Sequence, residues 1–352
     1  MKVLLVLLLT LAPLQAQTGG AAADFTRKAN QWMASTDVSK RQAAYRTWLQ
    51  MGPDAMPEFE KSLEASLKFH DKAIDKLCYG KGTIKNPYLI HEELAAEIDA
   101  ERKRIMPLIR TDWKKDASKI KSLRDDMEGL ADVQAKIVRE VEADTAPFDQ
   151  AVDSHFAAML EITRQQERFD TESPSIGKEE AELLEEIVKL HIEGSHVQDL
   201  RQRFHRSREA AALLASTNEK NKKASAWAGG SMIDFAGILN GERDLLGLPP
   251  LALEEKLSDA AEGHSKDMAR LGFFAHESPV PEKKSPWDRA RLAGFKGNAS
   301  GENIFMGSSS SQAAYNAWFK SDGHRFIMMA SGPNVLGVGI AGSHWTMMTG
   351  KM

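Results

Sequence analysis

The stretch VLGVGIAGSHWTMMT, residues 335–349, predicts two strands joined by a turn near the C-terminus of this chain. Apolar side chains alternate with glycine or polar residues before and after Gly342-Ser343, as is typical of half-buried strands. The Gly-Ser pair between the two runs indicates a tight hairpin. A period of two places Leu336, Val338 and Ile340 on one face of the first strand, and His344, Thr346 and Met348 on one face of the second.

The residues that precede this hairpin predict helices separated by short irregular segments. A helix over 233–246 should end before the turn 247–251, because its two prolines cannot continue a helix. A second helix over 253–271 carries an apolar stripe, and Gly272 suits its C-terminal cap. Shorter elements are predicted at 286–291, 301–304 (extended), 312–319 and 321–327. This mixture predicts an α+β fold.

Six short motifs follow one another in this region. They are Gly-Leu-Pro-Pro-Leu (247–251), Gly-Phe-Phe-Ala-His (272–276), Gly-Glu-Asn-Ile (301–304), Trp318 with Ser-Asp-Gly-His-Arg (321–325), Gly-Val-Gly (337–339) and His-Trp-Thr (344–346). Together they resemble the CAP superfamily, which includes cysteine-rich secretory proteins, antigen 5 and plant pathogenesis-related proteins. The bacterial SCP-like branch, which lacks disulfides, is the most similar. The resemblance covers about residues 231–352 and implies an α-β-α sandwich.

The resemblance also implies a cleft, which in eukaryotic members holds two histidines and two glutamates. His276 matches the first histidine, Glu302 the glutamate of the Gly-Glu-Asn motif, and His344 the histidine of the strand motif. The second glutamate is expected three residues after the tryptophan, where this chain has Ser321. His324, from the Gly-His-Arg motif, is the residue that could take its place.

Three imidazoles and one carboxylate are good ligands for a borderline divalent ion such as Zn²⁺. The first hypothesis is therefore a centre for Zn²⁺ or another divalent cation with His276, Glu302, His324 and His344 as ligands, and no organic cofactor. The alternative is a hydrogen-bonded polar cluster that positions the loops without a metal. Both remain open, because separation along the sequence says nothing about distance.

The same residues fit two classes of function. Relatives are associated with lipids, glycans and protein partners, and some have been proposed as proteases. A hydrolase would use Glu302 and His344 as catalytic residues, with Ser278 or Ser343 as nucleophile, yet no nucleophile motif surrounds either serine. We therefore expect a binding protein for an extracellular or envelope lipid, glycan or protein. Metal-assisted or His/Glu-assisted hydrolysis is the alternative.

The N-terminus predicts export. Lys2, the apolar run 3–11 and Pro13 fit a signal peptide over residues 1–16, and the run is short for a membrane span of roughly 20 residues. We expect a secreted or extracytoplasmic protein without a stable membrane span after cleavage. The net charge of −4, with basic residues interleaved among acidic ones, argues against nucleic-acid binding.

Residues 24–217 predict an all-α bundle or coiled region, because apolar positions keep helical spacing. This region is expected to be a spacer or to bind a partner. Residues 218–230, rich in Asn, Lys, Ala, Ser and Gly, predict a linker to a domain over 231–352. The single cysteine, Cys78, excludes an intrachain disulfide and leaves an inert thiol or a bridge between two chains.

Overall fold

The computed structural model describes residues 20–51, 56–80, 84–141, 145–172 and 178–352, and the predicted signal peptide over 1–16 lies outside them. The chain forms two compact units. Unit 1 contains the described residues up to Glu92 together with Arg139–Arg203, and unit 2 contains Glu93–Val138 and Phe204–Met352.

The N-terminal region is all helical in its described residues, as predicted. Its helices are α1 Gly20–Met33, α2 Val38–Met51, α3 Met56–Tyr79, α4 Pro87–Ile109, α5 Ala117–Glu140, α6 Ala146–Glu172, α7 Lys178–Glu193 and α8 His196–Lys223. In unit 1, Trp48 of α2, Phe59 of α3 and Phe148 of α6 are fully or almost fully buried, so these three helices each bury an apolar side. No helix of the described ranges is both long and apolar enough to span a bilayer.

Cys78 lies in α3 and is free and buried. Burial is the main reason that the pKa of its thiol is raised to about 11. Such a thiol carries almost no thiolate at neutral pH and is therefore a poor nucleophile. The structure thus agrees with the inert alternative for this cysteine.

The predicted linker over 218–230 is largely helical instead. Its first residues form the end of α8, and a 3₁₀ turn follows over Ala224–Ala226. Asn221 is buried, donates to the carbonyl of Leu251 (3.1 Å) and accepts from the amide of Leu253 (2.7 Å). The polar composition that suggested a flexible segment therefore serves buried hydrogen bonds.

The C-terminal part of unit 2 contains short helices around one small sheet. The elements are α9 Gly230–Leu245, β1 Ala252–Leu253, α10 Glu255–Leu271, a 3₁₀ turn Pro281–Lys283, α11 Pro286–Leu292, β2 Asn298–Met306, α12 Ser311–Phe319, α13 Asp322–Met328, β3 Val335–Ala341 and β4 His344–Lys351. Local signals set two boundaries. Gly272 ends α10 in the left-handed conformation (φ 70°), and a Ser285–Asp288 capping box begins α11.

The strand order is β1-β3-β4-β2, with β1 parallel to β3 and the other pairs antiparallel. On one face, Gly337 and Gly339 lie directly under α10, where a Cβ atom would collide with the helix. On the other face, Val338 and Trp345 belong to a core shared with α9 and α12. Helices therefore cover both faces, and the predicted α-β-α sandwich is confirmed.

Unit 2 also includes most of α4 and most of α5, which were predicted to belong to the helical region. Their apolar stripes join the core of the sandwich through Ile98, Ile105, Ile109, Ile120, Leu123, Met127, Leu130 and Val133. Arg102 donates to the carbonyls of Leu245 (2.8 Å) and Asp244 (2.8 Å) at the end of α9. The amphipathic pattern of these helices thus reflects packing onto the sandwich.

Candidate functional site

A cleft of about 390 Å³ opens at the edge strand β2 of unit 2. It is lined by His276, Glu277, Ser285, Pro286, Trp287, Ala299, Ser300, Gly301, Glu302 and Ile327. The first five come from the loop after α10 and from the start of α11, and Ile327 comes from α13. A volume in this range suits a small ligand or one segment of a larger one.

Glu302 is buried at the base of this cleft, and both of its carboxylate oxygens are engaged. Oε1 accepts from Nδ1 of His276 at 2.9 Å, and Oε2 accepts a short hydrogen bond from Nη2 of Arg289. The side chains of Glu302 and Arg289 are each 2% exposed, so the ion pair is almost completely removed from water. A buried carboxylate requires such compensation to remain charged.

Arg289 does more than neutralise Glu302. Its Nη1 donates to the carbonyls of Lys283 (2.9 Å) and Lys284 (3.2 Å), and both terminal nitrogens donate to the carbonyl of His276. One guanidinium thus joins α11, the 3₁₀ turn and the loop that carries His276. It fixes the backbone of His276 while Glu302 fixes its ring.

His276 is the part of this network that reaches solvent, since half of its side chain is exposed. Because the ionised Glu302 can only accept, Nδ1 of His276 is the protonated nitrogen in the neutral ring. Nε2 then carries a lone pair, and it has no protein hydrogen-bond partner in the described part of the chain. The imidazole is thereby oriented with one nitrogen available to a ligand or a water molecule.

Two other histidines, His264 and His324, lie near the network formed by Glu302, Arg289 and His276. His264 in α10 is fully buried and donates from Nε2 to the carbonyl of Ala275 (3.0 Å), while its Nδ1 has no partner. Burial lowers its pKa, so the ring stays neutral. His324 in α13 also has a lowered pKa, first because of burial and then because of the nearby charge of His276. His324 therefore lies within electrostatic reach of the cleft.

The Asn303 side chain links β2 to α13. It is fully buried and donates from Nδ2 to the carbonyl of His324 (3.0 Å). Successive side chains of a strand point to opposite faces, so Glu302 and Asn303 lie on opposite faces of β2. The Gly-Glu-Asn motif thus connects β2 to the His276 loop through Glu302, and to α13 through Asn303.

The structure separates His344 from these residues. Glu302 is paired with Met348 of β4, whereas His344 is paired with Met306 at the opposite end of β2. Four residues along a strand correspond to about 13 Å. The expectation that His344 joins Glu302 in one cluster was therefore wrong, because the strand register places the two residues at opposite ends of β2.

The residues present do not fit the four-ligand metal centre. Among the described residues, no group of three or more His, Cys, Asp or Glu side chains is arranged to hold a metal ion. Each carboxylate oxygen of Glu302 already accepts a hydrogen bond, from His276 or from Arg289, and the buried guanidinium adds positive charge beside the carboxylate. These contacts form a hydrogen-bonded polar cluster, which is the alternative considered in the sequence analysis. Metal binding itself stays an untested prediction.

Ser278 and Ser343, the two candidate nucleophiles, do not pair with a cleft histidine. The side-chain oxygen of Ser278, which is buried, accepts from the amide of Val280 (3.2 Å). Ser343 lies in the turn between β3 and β4, next to His344 and far along the sheet from Glu302. Neither makes a hydrogen bond with His276 in the described structure, so no serine–histidine pair forms.

Sequence reasoning missed Arg289 and Trp287. Trp287 is 60% exposed, and its Nε1 donates to the carbonyl of Ala299 (3.0 Å), which holds the ring at the mouth of the cleft. The sequence placed both residues in a helix starting at Pro286 without assigning either a role. The signal that could have identified them is the occurrence of an aromatic and a basic residue within one turn of a short helix, between the Gly-Phe-Phe-Ala-His and Gly-Glu-Asn-Ile motifs.

Residues 237–347 match the family model described as CAP, Cysteine-rich secretory protein family. Over 111 residues the chain is 36% identical to the uncharacterized protein YkwD of Bacillus subtilis (strain 168), and over 132 residues it is 29% identical to the uncharacterized membrane protein YlbC of the same organism. These alignments cover 31% and 38% of this chain. The chain spans 42% of the length of the first relative and 37% of the second.

Two solved structures are also similar. One is an extracellular protein containing a SCP domain from Bacillus anthracis, with 32% identity, a TM-score of 0.34, and coverage of 35% of this chain and 41% of that chain. The other is a cysteine-rich secretory protein from Staphylococcus aureus, with 16% identity, a TM-score of 0.31, and coverage of 35% and 38%. The C-terminal part of this chain is a CAP domain of the bacterial type.

Proposed function

We propose that this protein is an exported binding protein whose CAP domain binds a neutral glycan in the cleft between His276 and Trp287. The observation that carries the proposal is the pairing of Glu302, whose two carboxylate oxygens each accept a hydrogen bond, one from His276 and one from Arg289. Because the buried carboxylate is already paired, the base of the cleft offers no free ionic charge to a ligand. A neutral, hydroxyl-bearing ligand therefore suits the site better than a charged one.

Trp287 supports a ligand with a flat apolar face. Its ring is 60% exposed but is held in place by the hydrogen bond to Ala299, so little side-chain entropy is lost on contact. A sugar ring presents C–H groups on one face and hydroxyl groups at its edge. It can pack on the indole while a hydroxyl donates to Nε2 of His276.

Export is part of the proposal. The apolar N-terminal run resembles a signal peptide. One similar solved structure is described as an extracellular protein, and one curated relative as a membrane protein. Glycans are available in quantity outside the cytoplasm, which makes an envelope glycan the ligand class to test first.

Hydrolysis is the second candidate, and one contact favours it. A carboxylate bonded to Nδ1 of an imidazole, as in Glu302 and His276, is the arrangement that prepares Nε2 to act as a general base. In this alternative His276 activates water and Glu302 orients the ring; His344 has no part. Replacing His276 by glutamine should then abolish turnover, whereas a binding protein has no turnover to lose.

The test uses the full chain and soluble β-1,4-linked N-acetylglucosamine oligosaccharides in a calorimetric titration. Trp287→Ala should weaken binding at least about tenfold. Leu292→Ala is the matched control, since Leu292 lies on the same helix, is also 60% exposed and does not line the cleft. Equal affinity of the two variants, or no binding by the wild type, would contradict the proposal.

A further inference from the structure

A second groove of unit 2, of about 750 Å³, lies between the N-terminal half of α5 and the end of α12. Its lining includes four basic side chains, Lys115, Lys121, Arg124 and Lys320, and two acidic ones, Asp125 and Glu128. The groove is separate from the His276 cleft, and the two share no lining residue. Basic side chains thus outnumber acidic ones in this groove, although the net charge of the whole chain is −4.

Two of the basic groups are already paired. Lys121 lies 3.3 Å from Asp125, and Arg124 lies 2.8 Å from Glu242 while stacking over the ring of Phe319. Lys115 and Lys320 differ from them. Both are exposed, and neither makes an ion pair within the described ranges of the chain. Two lysines of the groove lining, Lys115 before α5 and Lys320 at the end of α12, are therefore available to an anion.

The backbone that carries Lys115 is strained. Lys114 and Lys115 have φ values of 51° and 62°, and in the described structure they are the only residues other than glycine with positive φ. This region of φ is costly for side chains with a Cβ atom, and glycine would adopt it freely. Two lysines in its place indicate that the position of their side chains matters, since strain of this kind concentrates at functional sites.

Contacts within unit 2 hold this turn in place. Fully buried Arg325 donates from Nε to the carbonyl of Ile109 (2.9 Å) and from Nη2 to the carbonyl of Thr111 (2.9 Å). Its guanidinium also lies 5.5 Å from the ring centre of Trp113. The turn that presents Lys115 is thus anchored to α13, immediately after Ser321 and Lys320. Arg325 also donates to the carbonyl of Phe319 (2.9 Å), so one side chain joins the backbone segments that precede the two lysines.

We propose that this groove binds a phosphate group, with Lys115 and Lys320 supplying the charge and the hydroxyl of Ser321 a hydrogen bond. Ser321 lines the groove, and its side chain makes no capping hydrogen bond to α13. Phosphate suits a site with two lysines because it carries more charge and more acceptor oxygens than a carboxylate. The proposal does not depend on the cleft or on its ligand.

The test is a calorimetric titration of the full chain with inorganic pyrophosphate at low ionic strength. Sedimentation with phosphatidylcholine vesicles, with and without phosphatidylglycerol, is measured in parallel. The groove variant is Lys115→Glu/Lys320→Glu. The control is Lys296→Glu/Lys351→Glu, which changes the net charge equally at exposed lysines outside the groove. We expect the groove variant to bind at least about tenfold more weakly than the control.

Pyrophosphate binding that only the groove variant loses identifies a free phosphate as the ligand. The same pattern confined to phosphatidylglycerol vesicles identifies a lipid phosphate. The proposal is overturned if the wild type binds neither probe, or if the groove and control variants lose binding equally. Circular dichroism checks folding, and Lys115→Gln/Lys320→Gln replaces the groove variant if charge reversal unfolds the chain.

Discussion

At the scale of single residues, Glu302 shows what sequence motifs can and cannot provide. The motif identified Glu302 and His276 as neighbours, and the structure brings them to 2.9 Å. It could not identify Arg289, because an arginine in a helical pattern is usually a solvated surface residue and only the folded chain shows that it is buried. It misassigned His344, whose place depends on strand register.

Glu302→Gln should destabilise unit 2, because the substitution leaves the buried charge of Arg289 without its carboxylate. We expect the free energy of unfolding, measured by urea denaturation, to fall by about 3 kcal/mol. Glu277→Gln is the control, since Glu277 is its exposed neighbour in the cleft and should change stability little. Equal stability of the two variants would show that the Glu302–Arg289 pair contributes nothing to stability.

At the scale of elements, the hydrophobic period predicted α4 and α5 but not the surface that they cover. An apolar stripe shows that a helix is packed, and its partner depends on tertiary contacts that have no local signal. Leu123 of α5 and Trp318 of α12 are both almost fully buried in one core. The hairpin of β3 and β4 was predictable in full, because alternation and a Gly-Ser turn are local properties.

Leu123→Ala tests whether α5 is part of the sandwich core. Removing this side chain should cost about 2–5 kcal/mol in the free energy of unfolding, through lost burial and the cavity that remains. Val138→Ala in the same helix, where Val138 is 54% exposed, should cost about 0.5 kcal/mol or less. Thermal denaturation monitored by tryptophan fluorescence reports both; a small effect at Leu123 would count against the shared core.

The pairing of α3 with α6 in unit 1 predicts a dependence on pH. Nδ1 of His70 lies 2.9 Å from Nδ1 of His155, and Nε2 of His70 contacts the carbonyl of Met33 (3.3 Å). Burial and the nearby His155 lower the pKa of His70 to about 4, and burial also lowers the pKa of His155. In the unfolded chain both groups titrate near 6.5, so the unfolded state binds more protons between these values.

Stability should therefore be full above pH 6.5 and fall as the pH is lowered toward 4, by up to about 1.4 kcal/mol per pH unit for His70. Urea denaturation across this range measures the slope. His70→Gln should reduce it, whereas His205→Gln, at an exposed histidine, should leave it unchanged. An identical slope in the wild type and His70→Gln would sink this explanation.

At the scale of the whole molecule, the two compact units do not follow the order of the sequence. Composition suggested a boundary at a linker over 218–230, yet Glu93–Val138 belongs to the same unit as the CAP domain. Composition detects polar segments and not their partners, so it could not show that Asn221 is buried and bonded to Leu251. The family resemblance located the sandwich correctly because its motifs lie within the sandwich itself.

A fragment of residues 226–352 should consequently be less stable than the full chain. Without α4 and α5 it exposes apolar surface that Ile109, Ile120 and Leu123 cover in unit 2. We expect a lower melting temperature and binding of a hydrophobic dye, measured by calorimetry and fluorescence. A fragment that melts like the full chain and binds no dye would show that these helices are dispensable for the CAP domain.

In the function proposed above, Glu302 and Arg289 present His276 to a ligand through its free Nε2. Nitrogen-15 NMR of the histidine rings in the full chain measures the protonation of both ring nitrogens, with the His276 signals assigned by His276→Gln. We predict a protonated Nδ1 and an unprotonated Nε2 in the neutral ring, and a shift of Nε2 when N-acetylglucosamine oligosaccharides are added. A ring protonated at Nε2, or signals that do not respond to the oligosaccharides, would contradict the claim.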